Sequence, residues 1–227
     1  MNGLSTTLGN LLPAALGVAL SPVPIIATVL MLMSGRPRRT APAFAVGWAV
    51  GLVVVLVLVL LVVGTNGLDT SSTSDTTSWV KLVLGLVFLV LALRTWRHRP
   101  RPGETAEPPA WMARLDTISP LVALGLGAAL SGINPKNLAL TASAAVAIAS
   151  GGLSSGQVVV CVVVFVVIGS ALVAGPVLAF LVLGDRTAAP LQSLKTFMEV
   201  HNPAIMTVLL SVLGLSMLGQ GLGGLLG

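Results

Sequence analysis

The chain has 227 residues, 55% of them hydrophobic and only 8% charged, with a mean hydropathy of +1.01. A water-soluble domain carries about 25% charged residues, so this chain lacks the polar surface to stay in water, and the bilayer is its solvent. Its net charge of +5 comes from Lys and Arg in short loops beside apolar runs, which argues for a membrane face and against a nucleic-acid partner.

About 20 apolar residues cross the hydrocarbon layer, and six runs are candidate crossings: Thr7–Ser34, Ala43–Gly64, Trp79–Trp96, Ile118–Ala149, Ser155–Leu183 and Pro203–Leu222. Met1–Asn10 holds no Lys or Arg, unlike a secretory leader, so the first span is expected to stay in the mature protein. That span contains Gly17-Val18-Ala19-Leu20-Ser21-Pro22-Val23-Pro24. Proline removes a backbone donor and crowds the carbonyl one turn back, so Pro22 and Pro24 predict a break near mid-span. Gly35–Pro42 then brings Arg36, Arg38 and Arg39, and the second span carries Phe44 and Gly47.

The connection Thr65–Ser78 holds Asp69 and Asp75 with no basic residue, and its Asp69–Ser78 part reads as loosely folded. Trp79 and Lys81 open the third span as ordinary interface anchors, and Arg94 lies near its other end. Arg97–Thr117 holds Arg97, Arg99, Arg101 and Arg114 with four prolines, a flexible connector suited to anionic headgroups. His98 in that loop reads as a solvated side chain.

The fourth span is interrupted by Gly127-Ala128-Ala129-Leu130-Ser131-Gly132-Ile133-Asn134-Pro135-Lys136-Asn137. It repeats the Gly-x-Ala-Leu-Ser word of the first span and again meets proline. In the fifth span Phe165 and Gly169 echo Phe44 and Gly47. Its Cys161 is the chain's one cysteine, so an internal disulfide is impossible and the residue reads as small and apolar. Gly184–Asn202 brings Arg186 and Lys195. His201 and Asn202 then precede Pro203, either as a cytoplasmic gate or, the preferred reading, as a helix start with Asn202 as N-cap and proline at the first position.

Basic residues gather in the first, third and fifth connections, and cytoplasmic loops collect Lys and Arg. Both termini are therefore expected outside a cytoplasmic membrane crossed six times. Three crossings are an odd number, so the second of two similar halves must start on the opposite side from the first. The fold class expected is an all-α membrane protein of six transmembrane helices, built as two inverted three-helix repeats with broken helices in the first and fourth spans. Residues 1–97 form the first repeat, 98–117 a basic cytoplasmic linker and 118–227 the second repeat.

Backbone groups freed at mid-membrane persist only in contact with protein or a watery cavity. The two breaks, with Ser21, Pro22, Pro24, Ser131, Asn134, Pro135, Lys136 and Asn137, are the candidate substrate-binding site. The alternative is a pair of simple kinks filled by neighbouring helices. Lys136 is the one ionisable residue deep in a span, where a lysine costs about 2.5–3.5 kcal/mol, and no Asp or Glu lies in any apolar span to pair with it. It binds an anionic group of a substrate, sits uncharged, is held by carbonyls of the break, or reaches for water. The lack of an acidic partner fits a carboxylate, phosphate or sulfate ligand and speaks against a metal cation. No phosphate-binding loop, GxSxG elbow, HExxH pair or cysteine–histidine cluster is present. Neither an enzyme nor a cofactor nor a bound metal is expected.

Ser21-Pro22-Val23-Pro24-Ile25, the Phe44-to-Gly47 stretch, Asn134-Pro135-Lys136-Asn137 and His201-Asn202-Pro203-Ala204 together resemble the GAP family. Its members are named as glycopeptidolipid or sulfolipid addressing proteins of the LysE exporter superfamily. The resemblance covers essentially the whole chain, and it implies export of a complex lipid to the cell envelope. Carried onto this chain, the broken helices would form the transport site and Lys136 would meet an acidic headgroup. The expected function is thus a flippase-like exporter of an anionic or glycosylated lipid. The alternatives are a small-metabolite exporter of amino-acid type and a non-transporting subunit that supports envelope-lipid synthesis or export. Partners expected are membrane lipids, the anionic lipid or small-molecule substrate, and an envelope-lipid biosynthesis protein or a second copy of the chain, since small residues such as those from Gly214 to Gly227 permit close helix packing.

Overall fold

A computed structural model describes residues 3–65, 73–97, 99 and 118–226; the side chains at 63–65, 73–77, 185, 198, 199, 202 and 226 lie outside that description. Among the described residues eight α-helices follow one another: α1 (Gly3–Ala19), α2 (Pro22–Leu32), α3 (Pro37–Thr65), α4 (Thr73–Arg97), α5 (Pro120–Gly132), α6 (Pro135–Ala149), α7 (Ser155–Leu183) and α8 (Ala188–Leu226). The 3-10 turn Gly184–Thr187 joins the last two. No strand occurs among the described residues.

Local chemistry sets where the helices begin. Four of them, α2, α3, α5 and α6, open on proline, whose missing N–H and fixed φ suit the first helical position. Ser119 accepts a hydrogen bond from the Val122 amide at 3.3 Å as N-cap of α5, and Asn134 accepts one from Lys136 at 3.0 Å as N-cap of α6.

Among the described residues four helices are long and apolar enough to cross a membrane: Pro37–Val62 of α3, Ser78–Arg97 of α4, α7, and Pro203–Leu225 of α8. In each, a third or less of the apolar stretch is buried inside the protein, so the rest faces outward, as acyl chains require. The pair α1–α2, bent by 50°, counts as a fifth crossing if it is one span. Helices α5 and α6 have 13 and 15 residues, each short of the roughly 20 that a crossing needs. Length and composition therefore support four or five crossings. The chain is a multi-pass membrane protein.

Close packing is carried by small residues. A methyl group on Gly51 of α3 would strike the Ser131 hydroxyl of α5 and lie 2.8 Å from the Ala128 carbonyl; one on Gly127 would strike the Phe44 carbonyl. The contacts rise together, Phe44 beside Gly127 and Val55 beside Gly132, so α3 and α5 run parallel. Along α4 and α8 the order reverses, with Gly85 beside Gly214 and Ser78 beside Gly224, so these two are antiparallel. Phe44, Trp48 and Leu52 of α3, Val18 of α1, and Cys161 and Phe165 of α7 are all fully buried at the centre. There the Trp48 indole donates to the Gly169 carbonyl. Cys161 is a free, buried packing residue, as its sequence context implies.

Two sequence expectations are corrected. Residues 73–78, expected to be loosely folded, form the first turns of α4, because each residue added to an existing helix gains a hydrogen bond without a new nucleation cost. Likewise α8 begins at Ala188, fifteen positions before Pro203, and runs through that proline. Asn202 and Pro203 therefore do not start a helix. The segment 188–202 is polar enough to read as a loop by hydropathy, yet it has no glycine and a single early proline, Pro190, so nothing in it opposes a helix. The connector 98–117, apart from Arg99, and the residue Asp69 lie outside the described residues. Arg99 places its guanidinium 3.7 Å from the Trp96 ring centroid, a cation–π contact at the end of α4.

Candidate functional site

The first break follows directly from its prolines. Pro22 has no N–H to offer the Val18 carbonyl, which accepts instead from the Ser21 amide at 3.1 Å. In an unbroken helix that amide would serve Gly17. The Gly17 carbonyl is thereby released. Ser21 is buried and is the N-cap of α2, without a side-chain cap bond. Pro22 is the first residue of α2, and Pro24 is buried two places on, its carbonyl accepting from the Thr28 hydroxyl at 2.8 Å.

The second break repeats the logic with other side chains. Pro135 offers no N–H to the Ser131 carbonyl, and the Asn137 side-chain amide donates to the Leu130 carbonyl at 3.3 Å. The buried Ser131 hydroxyl donates to Ala128 at 2.9 Å. Asn134 caps α6, and Pro135 is exposed.

Lys136 joins the two breaks. Its Nζ donates to the released Gly17 carbonyl at 3.3 Å and lies 3.2 Å from Met206 Sδ on α8. The carbonyl that Lys136 meets belongs to the first break and not to its own. Among the described residues no carboxylate forms an ion pair with it. A methyl on Gly17 would sit 3.0 Å from the Leu140 side chain, one turn along α6 from Lys136, so the missing side chain at Gly17 is what lets α6 approach.

Beyond Lys136, α6 carries polar atoms that no protein group satisfies. Asn137 Oδ1 and Thr141 Oγ1 are buried without a partner, as are Ser143 Oγ, also on α6, and Ser170 Oγ on α7. Asn137 and Thr141 are four residues apart and share one face of α6. Buried polar atoms of this kind usually bind water or a ligand, and they make the region just past the break chemically receptive.

His201 stands apart from this constellation. Its exposed ring stacks on Phe197 with centroids 4.4 Å apart, and Nδ1 lies 3.1 Å from the Phe197 carbonyl one turn back on α8. The Asn202 side chain lies outside the described residues. Sequence reasoning did not single out Gly17 and Met206 as partners of Lys136. Gly17 stood in the repeated Gly-x-Ala-Leu-Ser word, which was the available signal; a methionine in an apolar helix gives none. Thr141, Ser143 and Ser170 were also missed, since isolated hydroxyls in an apolar run look like packing residues.

No curated protein and no solved structure matches the chain. The family model described as Sap, sulfolipid-1-addressing protein, matches residues 11–223, which takes in both breaks, Lys136 and Met206. With nearly the whole length matched, the chain belongs to the sulfolipid-1-addressing protein family.

Proposed function

We propose that this protein exports an acidic, lipid-like envelope molecule across the cytoplasmic membrane, through a site where the broken helices meet. The family's description speaks of addressing a sulfolipid, which supports a role in envelope-lipid export and favours a lipid over a small metabolite. The observation that carries the reading is the Lys136 contact with Gly17 and Met206. A cation held by one neutral carbonyl and one thioether is weakly satisfied. A sulfate, phosphate or carboxylate would bind it far better, through charge-assisted hydrogen bonds.

The reading includes six crossings in two inverted halves, residues 1–97 and 118–227 joined by the linker 98–117, with both termini outside and the basic loops inside. Several packing relations support it. Helix α5 runs parallel to α3, while α6 runs antiparallel to α1, with Gly17 beside Leu140 and Thr7 beside Gly151. If α1 and α3 point opposite ways, α5 and α6 then advance in one direction, as the halves of one broken crossing would. The antiparallel pair α4 and α8 holds the third position of each half, as inversion requires. Descent from the LysE exporter architecture and a carrier rather than an enzyme are parts of the same proposal.

The test is Lys136→Ala in cells, with envelope lipids compared by mass spectrometry. Losing a charged hydrogen-bond partner costs about 1.5–3 kcal/mol, so export of the acidic lipid is expected to fall roughly ten- to a hundredfold while the protein still inserts and folds. Unchanged lipid export by the folded variant would overturn the proposal.

A further inference from the structure

A second basic feature lies away from the breaks. The turn between α2 and α3 and the C-terminal end of α7 enclose an open cleft of about 700 Å³, lined by Arg36, Pro37, Arg38, Arg39, Phe180 and Gly184 among others. No carboxylate is among the described residues that line it. The three guanidiniums are exposed, and the cleft lies where α3 starts, so the positive end of that helix adds to them. Gly184 ends α7 with φ 60, a positive-φ backbone that glycine adopts readily, and the chain passes there into the 3-10 turn.

The cleft has an apolar side as well. Phe180 is buried at its wall, and Leu181, Val182 and Leu183, in the last turn of α7, are exposed. In a membrane these side chains meet acyl chains. Charge in the cleft and a greasy helix end beside it match a molecule with an acidic head and a hydrocarbon tail. Arg38 precedes Trp48 by ten residues of α3, about 15 Å of helix, and Trp48 packs on Gly169, which itself lies against Val18. The cleft is thus roughly one half-membrane away from the Gly17–Lys136 contact.

We propose that this cleft is a separate binding site for the sulfate or phosphate headgroup of an acidic amphiphile, held by Arg36, Arg38 and Arg39 with its tail along the end of α7. The inference rests on the lipid-export reading for the amphiphile's destination, so the test reads binding and not export. Guanidinium groups recognise these tetrahedral oxyanions by paired N–H donors, and three around one cleft give the site its selectivity over zwitterionic lipids.

The experiment uses the full chain in phosphatidylcholine nanodiscs doped with a sulfated glycolipid or with phosphatidic acid, and counts retained acidic lipid by native mass spectrometry. Arg36→Gln, Arg38→Gln and Arg39→Gln combined, introduced into a Lys136→Ala background so that only this cleft is read, should weaken retention about tenfold or more, whereas Lys81→Gln in the same background should leave it intact. Inorganic sulfate or phosphate at millimolar concentration should displace the lipid poorly, because neither carries a tail. Equal retention by the triple variant would overturn the site, and inorganic anions competing as strongly as the lipid would overturn the amphiphile. Should the triple variant fail to fold, Phe180→Trp in the otherwise unchanged chain reports the same contact. A brominated acidic lipid should quench the added tryptophan more than a brominated zwitterionic one, and equal quenching would sink the proposal.

Discussion

The Trp48 indole nitrogen donates to the Gly169 carbonyl at 3.2 Å, across 121 positions of the chain. Trp48 stands four residues after Phe44 on α3, and Gly169 four after Phe165 on α7, so the bond ties two of the long apolar helices together at the buried centre. One supplies bulk and a donor; the other supplies the space and the acceptor. Replacing Trp48 by Phe keeps most of the ring and removes the donor. Unfolding in detergent should show a loss of about 1 kcal/mol, and Trp48→Ala a loss of about 3–5 kcal/mol. Equal stability of Trp48→Phe and the parent would mean that the bond contributes nothing.

Glycine positions offer a graded test of the α3–α5 contact. Gly51→Ala places a methyl on Ser131 and the Ala128 backbone, and should cost about 1–3 kcal/mol. Gly125→Ala in α5 meets nothing within 4 Å and should be neutral or stabilise by up to about 1 kcal/mol. Thermal unfolding of the two variants side by side checks the difference in sign.

Thr141 separates stability from transport. Its hydroxyl is buried without a protein partner, so Thr141→Val removes no protein hydrogen bond and stability should stay within about 1 kcal/mol. If that hydroxyl serves a hydrated or ligand-bearing path, lipid export should fall in the same variant. A variant that is both stable and fully active would assign Thr141 to packing alone.

Sidedness is open to labelling. Asp69→Cys and Arg101→Cys should react with an impermeant maleimide from opposite faces of intact cells, and the native Cys161, fully buried, should stay silent. Labelling of both positions from the outside would discard the six-crossing topology.

Much of this arrangement is legible in the sequence, for physical reasons that differ from place to place. The breaks at Pro22 and Pro135 could be read because proline acts through its own covalent structure, whatever surrounds it. The apolar runs of α3, α4 and α7 could be read because lipid imposes length and composition together. The first fifteen residues of α8 could not, since hydropathy identifies crossings and is blind to a polar helix beyond them. Nor could the partners of Lys136: the Gly17 carbonyl and the Met206 sulfur come from elements 119 and 70 residues away, and no local pattern encodes such a meeting. The arginines at 36, 38 and 39 were read as a connecting loop, whereas Arg38 and Arg39 lie in the first turn of α3, and their sharing a cleft with Phe180 depends on tertiary packing.

Helix α8 has 39 residues, about 58 Å of rod at 1.5 Å per residue, roughly twice the hydrocarbon thickness. Only its stretch from Pro203 to Leu225 suits the membrane interior, so the preceding fifteen residues extend beyond it. Near the start of the buried stretch, Met206 touches Lys136, and just before it Pro203 interrupts the hydrogen-bond ladder. The extension, the proline and the lysine contact thus follow one another along a single helix, with Pro203 three residues before Met206. A single continuous rod therefore connects the polar surface segment at 188–202 with the helix that Lys136 touches.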